Sequence, residues 1–495
     1  VSEPLDLLII GAGFSGLAMA IRADRAGFAN FLILDKGTSV GGTWRENTYP
    51  GAASDIPSHL YALSFAPNPD WTRLYPQQPE IEAYLQGLVA TCGLTDRLRL
   101  GTSVTSARWD EAAGCWRVET NRGTHVARML VSAAGGLHHP AVPNIPGLDG
   151  FFGPAFHTAR WDHSCNLAGR HVAVIGTGAS AVQIVPEIAG RVASLTLFQR
   201  SPPWILPRGD RAYTNRERRL FARMPLVRRL YRSKLFWEHE ILALLGFVRV
   251  SLITAFGERL GRRHLRRSVS DARLREKLTP RYRLGCKRVL FSDVFYPALA
   301  HRNVCVVTEP IREIRPHGVV TADGCEHAAD VLILATGFDV ERSLAGIPVI
   351  GREGVSLAEA WRSGMDAYQG IAVHGFPNFF LLLGPNTALG HNSVLLMIEA
   401  QVAHILDALR HLGRNPGHVL NVRRDAQERF RAAIDARMAD SIWTRGGCRS
   451  WYLDGAGRNR TLWPGSVMAY RRSVMRMKPA DYDASSGEVG TKRIR

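Results

Sequence analysis

The chain has 495 residues, 46% of them hydrophobic and 21% charged; at ~150 residues per domain this allows roughly two to four domains and excludes a staple-dependent miniprotein or a disordered chain. Its longest uncharged apolar stretch, 241–248, falls far short of the ~20 residues a membrane-spanning helix needs. The 62 Lys and Arg against 44 Asp and Glu give a net charge of +18, which admits nucleic acid, anionic lipid or a polyphosphate ligand as a partner.

Predicted strands recur along the chain, each closing on glycine. The runs 5–10, 129–132, 171–175, 331–334 and 379–383 lead to Gly11, Gly135, Gly176, Gly337 and Gly384. They alternate with amphipathic stretches such as 17–26 and 182–188, so the fold class expected is α/β, with parallel sheets covered on both faces. Two glycine-rich turns, each directly after a strand, predict two Rossmann-like dinucleotide-binding domains. The first is expected to be discontinuous, 1–145 plus 376–475, with the second at 146–375 between its parts. An arginine-rich helical insertion is expected at about 205–285, and a polar, frayed tail at 476–495.

In the first turn, strand 5–10 runs into Gly11-Ala12-Gly13-Phe14-Ser15-Gly16, and a second strand, 31–34, ends at Asp35. Gly11 permits the tight turn, Gly13 lets a pyrophosphate approach the backbone, and Gly16 lets helix and strand pack closely; the helix N-terminus then faces the phosphates. Asp35 is placed to accept from a ribose diol. The second turn, Gly176-Thr177-Gly178-Ala179-Ser180-Ala181, is followed by strand 194–198 and then Gln199-Arg200-Ser201. Here a cation, Arg200, stands where the first unit has an acid, which suits the 2′-phosphate of NADP. Further on, Gly384-Pro385-Asn386-Thr387 leads to a helix over 394–409, apolar at 394, 398, 402, 405 and 409. Its N-terminus is expected to face negative charge on a ligand.

Seven cysteines (92, 115, 165, 286, 305, 325, 448) show neither a CxxC pair nor zinc spacing, and are read as reduced thiols. The first residues, Val-Ser-Glu-Pro, lack a signal-peptide layout, so the compartment expected is the cytoplasm. Residues 208–288 hold 23 Lys or Arg against 7 Asp or Glu, a local excess of +16. Basic pairs at 218/219, 228/229, 262/263 and 266/267 alternate there with an apolar stretch around 235–248. A solvated face that steers NADPH is the preferred reading. Peripheral contact with an anionic membrane stays open, and no motif supports nucleic-acid binding.

Between the two units, Phe151-Phe152-Gly153-Pro154-Ala155-Phe156-His157-Thr158-Ala159-Arg160-Trp161-Asp162 follows no strand or helix periodicity. At this segment the chain resembles the class B flavin monooxygenases, and FxGxxxHxxxW followed by Asp is similar to the fingerprint of the Baeyer-Villiger type; S- and N-oxygenating relatives usually carry Tyr or Phe where this chain has Trp161. Gly41-Gly42-Thr43-Trp44, Tyr49-Pro50-Gly51-Ala52, Ala335-Thr336-Gly337-Phe338 and Ser450-Trp451-Tyr452 match in the same order.

The resemblance implies an FAD- and NADPH-dependent enzyme that inserts one oxygen beside a ketone carbonyl to give an ester or lactone through a C4a-peroxyflavin, with O2 and a small ketone as partners and no metal. The rival readings are an S- or N-oxygenating monooxygenase and a membrane-docking flavoprotein without oxygenation; substrate identity, selectivity and oligomeric state are left open. It implies FAD contacts from Gly11, Gly13, Phe14, Ser15, Gly16, Asp35, Lys36, Thr43, Trp44, Asp55, Tyr61, Val104, Asn386 and Val394. NADP contacts are implied for Gly176, Thr177, Gly178, Ala179, Ser180, Gln183, Arg200, Ser201, Lys287, Arg288 and Trp451. Arg288 and Asp55 are the implied catalytic pair, the arginine over the flavin and the aspartate orienting it, while His157 and Trp161 transmit domain geometry. A unit cation ~4 Å from an oxygen anion contributes roughly 4 kcal/mol at an effective dielectric of ~20, or about three pKa units.

Overall fold

The first strand shows why the sheets are buried on both faces. Leu7 and Ile9 point into one apolar cluster and Leu8 and Ile10 into another, the period of two that turns a continuous apolar run into a central strand. The computed structural model describes residues 3–246, 252–448 and 450–486. The first sheet is eight-stranded. Leu5–Ile10 pairs in parallel with Phe31–Leu34 on one side and Gly123–Ser132 on the other. Cys115–Thr120 and Val104–Asp110 extend it antiparallel, and Phe379–Leu381 joins the far end of Gly123–Ser132. Helices Phe14–Arg25 and Leu395–Arg414 pack together over one face.

The second sheet is parallel throughout, in the order Val304–Val307, Ser194–Phe198, His171–Ile175, Val331–Leu334, Ala155–His157. Helices Ala179–Ile188 and Phe295–Leu299 cover one face. An antiparallel meander, Ile311–Arg315, Gly318–Thr321 and Glu326–Ala328, buries Ile314 and Val319 against the other. The class is α/β with two Rossmann-like cores. The arginine-rich block is helical, over Asn215–Arg223, Pro225–Gly246, Leu252–Ser268 and Ala272–Lys277.

Three expectations are corrected. The chain returns to the first sheet earlier than 376, because Val349–Ile350 pairs with Val104–Asp110 and Trp361, Met365 and Val373 pack in that unit's core. The tail is not frayed from 476: Tyr482–Ser486 pairs antiparallel with His418–Val422, and the buried Tyr482 ring accounts for that order. Cys286 and Cys448 are not free thiols but form a disulfide across 162 residues of sequence, a closure that local spacing cannot reveal. No helix among the described residues is long and apolar enough to cross a membrane.

Burial also shapes the response to acid. His59, His138, His157 and His404 are each pushed down to about 4, with burial the main cause, from an ordinary value near ~6.5. In that window the unfolded chain binds more protons than the folded one, so folding free energy is lost as pH falls from the unfolded value towards the folded one. The expected result is a thermal midpoint that drops progressively between pH ~6.5 and ~4; a flat midpoint across that window would contradict it.

Candidate active site

Both nucleotide turns rest on one backbone device. Gly11 has φ +107°, and a Cβ there would lie 2.5 Å from the Ala133 carbonyl oxygen. Gly176 has φ +111°, with the Ala335 carbonyl oxygen at 2.4 Å from the same position. In each unit only glycine lets the turn pass so close to the neighbouring strand end. The helices that follow, from Phe14 and from Ala179, carry no side-chain cap and no acid in the first turn, which leaves their N–H groups for an anion. The missing side chain of Gly178 opens onto free space, so the second turn has room for a pyrophosphate. Phe14 and Ser15 are buried at the first helix start, and Gly13 faces Gly42 of the adjoining Gly41-Gly42-Thr43 loop.

Asp35 sits at the end of Phe31–Leu34 and is buried. It accepts the Ala12 N–H at 2.7 Å and the Gly37 N–H at 2.8 Å and pairs with Arg45 at 2.8 Å. A carboxylate offers about four acceptor positions, so room remains for a ribose hydroxyl beside these partners. Lys36 is exposed next to it, and Val104 is partly buried at the start of its strand. Phe14, Trp44 and Tyr61 form an aromatic wall: Phe14 and Tyr61 meet edge-on at 5.2 Å, and Trp44 Nε1 donates to the Tyr61 hydroxyl at 3.1 Å.

At the second turn, Thr177 donates to the Ser201 carbonyl at 3.2 Å and Lys287 Nζ donates to Ser201 Oγ at 2.6 Å. Burial lowers the Lys287 pKa, and the charge of Arg200 lowers it further. Two cations held this close destabilise each other in the free protein, and a phosphate between them would relieve both. The cluster therefore fits a 2′-phosphate.

Asp55 and Arg288, 233 residues apart, meet in a two-armed ion pair. Arg288 Nη2 reaches the two carboxylate oxygens at 2.8 and 2.6 Å and Nε reaches Oδ2 at 3.0 Å. The negative charge of Asp55 raises the Arg288 pKa, so the guanidinium stays charged throughout. The loop carrying Asp55 is itself pinned: Tyr49 donates to Gln183 Oε1 at 3.0 Å, Gln183 Nε2 to the Ala53 carbonyl at 2.9 Å, and Arg208 to the Ser54 carbonyl at 2.8 Å. Gln183 thus ties the first unit to the second helix, a bridging part beside its expected contact with NADP. Tyr61 and Tyr452 both feel the charge of Arg288, and burial pushes each up to about 12.

Not every expected residue points into this centre. Trp451 is 52% exposed, whereas the adjacent Tyr452 is 2% exposed and belongs to the arginine's surroundings; sequence reading quoted Tyr452 in its motif but gave it no role. Asn386, in a left-handed conformation at φ 57°, donates its amide to the Asn459 and Leu462 carbonyls and so holds the 459–462 segment. Val394 is the residue before helix Leu395–Arg414. The disulfide lies directly before Lys287 and Arg288, and the Arg283 N–H donates to the Gly446 carbonyl at 3.0 Å. A cysteine pair therefore stands beside the site without any CxxC spacing in the sequence.

In the fingerprint segment, Ala155–His157 adds the last strand to the second sheet. His157 Nδ1 accepts the Ala159 N–H at 3.0 Å, its ring faces Phe338, and at about 4 it is neutral at physiological pH. Trp161 packs edge-on to Phe156 at 5.1 Å. Arg160 reaches across to Glu46 of the first unit at 2.8 Å, a link that sequence reading missed because the two lie 114 residues apart.

Comparison with known proteins agrees with this geometry. A family model described as pyridine nucleotide-disulphide oxidoreductase matches residues 8–214, the stretch that holds both glycine turns. A Baeyer-Villiger monooxygenase of Streptomyces coelicolor is 45% identical over 99% of this chain and 95% of its own length. One of Pseudomonas aeruginosa is 45% identical over 96% of this chain and 90% of its own. The crystal structure of cyclohexanone monooxygenase from Rhodococcus sp. Phi1 bound to NADP+ has a TM-score of 0.86 at 30% identity, covering 98% of this chain and 100% of that one. Oxidized steroid monooxygenase bound to NADP gives the same score and identity. With two dinucleotide turns and these relatives the chain is an FAD- and NADPH-dependent monooxygenase, and it belongs to the Baeyer-Villiger monooxygenase family.

Proposed function

We propose that the protein inserts one oxygen atom beside the carbonyl of a small ketone, giving an ester or lactone, with Arg288 and Asp55 as its catalytic pair. The observation that carries this reading is the Asp55–Arg288 ion pair at 2.6 Å, set between the two turns. When bound, FAD supplies hydride acceptance from NADPH and activation of O2. Asp55 engages Nε and Nη2 of Arg288, so the guanidinium is held in one orientation. A fixed cation aimed at developing negative oxygen costs no reorganisation during reaction. Arg288 thereby keeps an oxygen-derived anion deprotonated and nucleophilic, and then stabilises the oxyanion that forms on the carbonyl. The wall of Phe14, Trp44 and Tyr61 excludes water, and Tyr61 and Tyr452, each at about 12, stay neutral and add no competing anion. Arg200, Ser201 and Lys287 hold the 2′-phosphate of NADPH. Dependence on NADPH, the reductant of the cytosol, makes the cytoplasm the compartment proposed.

Product analysis with cyclohexanone and methyl phenyl sulfide tests the reading. Lactone formation with a higher kcat/KM than sulfoxide formation is expected. Sulfoxide without lactone would favour the S-oxygenating alternative, against which Trp161-Asp162 stands in the fingerprint.

A further inference from the structure

We propose that the basic helical block docks this protein on an anionic lipid bilayer, through an apolar stripe on the outer face of helix Pro225–Gly246. Leu226, Leu230, Trp237 and Ile241 are 65%, 61%, 46% and 48% exposed. At about 100° per residue their spacing places all four within a band roughly 60° wide. The opposite side of the same helix is firmly held. Leu235 is buried there and Arg232 donates to the His59 and Ala62 carbonyls at 2.6 and 2.9 Å, while on the flank next to the stripe the fully buried Glu240 accepts from Asn392 Nδ2 at 3.2 Å and the Met468 N–H at 3.0 Å. The stripe is therefore a fixed outer surface and needs no unfolding to be presented. Leu220 of the preceding helix, Met224 just after its end, and Phe256 and Leu260 of the following helix are exposed as well.

Charge decides the occupant. Arg219, Arg223, Arg229, Arg259, Arg263 and Arg267 on these helices are exposed and form no ion pair with an acid of the described residues. A second copy of the chain, related by a two-fold axis, would bring this excess of cations against itself. Large apolar side chains in a row, with Trp among them, also suit a lipid interface better than a phosphodiester backbone, which presents no apolar phase. Anionic headgroups match the arginines while the acyl boundary takes Leu226, Leu230, Trp237 and Ile241. This inference is independent of the oxygenation chemistry, since none of these side chains belongs to the Arg288 centre.

Flotation of the full-length, FAD-loaded protein tests it, using vesicles of phosphatidylcholine with phosphatidylglycerol and vesicles of phosphatidylcholine alone. The protein is expected to float with the anionic vesicles only, and high salt should release it. Replacing Arg219, Arg223 and Arg229 by glutamine should weaken binding by about fivefold per residue. The double substitution Leu230→Ser and Trp237→Ser should abolish flotation while NADPH oxidation without vesicles is unchanged. The proposal is overturned if wild-type protein sediments with both vesicles, or if it floats equally with neutral ones. It is also overturned if the serine variant still floats, or if that substitution turns a dimer into a monomer by light scattering, which would give the stripe to a second copy. Should the serine variant fail to fold, the glutamine series decides alone: undiminished binding rejects the docking surface.

Discussion

Replacing Arg288 by alanine is expected to lower ester formation about 10²–10³-fold, the usual effect of deleting one fixed donor to a reacting oxyanion, while flavin reduction by NADPH continues. The pair geometry explains the separation. In the proposed reading hydride transfer needs NADPH held at the second turn, where Thr177, Arg200, Ser201 and Lys287 converge, whereas the guanidinium acts on negative oxygen. The variant should therefore go on oxidising NADPH but release hydrogen peroxide in place of product. Anaerobic mixing with NADPH, followed by product and peroxide assays in air, reads both halves. An Arg288→Ala enzyme that still makes ester would remove this residue from the mechanism, and one that loses flavin reduction to the same degree would point to a part in cofactor placement. An Asp55→Asn variant, which keeps the shape but removes the bracing charge, should fall between wild type and Arg288→Ala.

The second large effect concerns the nicotinamide cofactor. Substituting Arg200 and Lys287 together by alanine is expected to raise KM for NADPH by roughly 10–100-fold, since hydrogen bonds to charged groups contribute ~1.5–3 kcal/mol, and to leave KM for NADH almost unchanged. The reason is local: Lys287 is held on Ser201 at 2.6 Å and already feels the charge of Arg200, so an anion bound between them would relieve the repulsion. Steady-state kinetics with both cofactors gives the answer. Equal losses for NADPH and NADH would mean that the two cations shape the loop and do not select the 2′-phosphate.

Much of the cofactor machinery was legible because it is local. Each glycine turn follows its own strand by one residue, and the residue at the end of the next strand, Asp35 or Arg200, reports whether a ribose diol or a 2′-phosphate is expected there. The segment from Phe151 to Asp162 matched a known pattern, and with it came Asp55 and Arg288 as partners, although nothing in their own neighbourhoods predicts the contact at 2.6 Å. Other features were out of reach. Cys286 and Cys448 look like unrelated thiols until the fold closes 162 residues between them. The resemblance implies Gln183 as a cofactor contact, yet it also spans the units because Tyr49 and Ala53 come within hydrogen-bond reach. Asn386 is implied in the same way, and only the fold shows that its amide also holds the 459–462 segment.

The arginine block shows the division most plainly. Its composition already stated that charge and apolar side chains alternate there, but composition is silent on which face remains without a partner. That depends on where Arg232 and Glu240 find acceptors and donors in distant loops. By itself, then, the amino-acid order determined the class of fold, the two cofactor turns and the sign of charge at each, because these follow from backbone sterics and periodicities within a few residues. Only the tertiary structure decided the disulfide, the bridging of the units by Gln183 and Arg160, the early return of the chain through Val349–Ile350 and the outward face of the helices. Each of those is a contact between segments far apart in sequence, and such contacts are selected by packing of the whole chain.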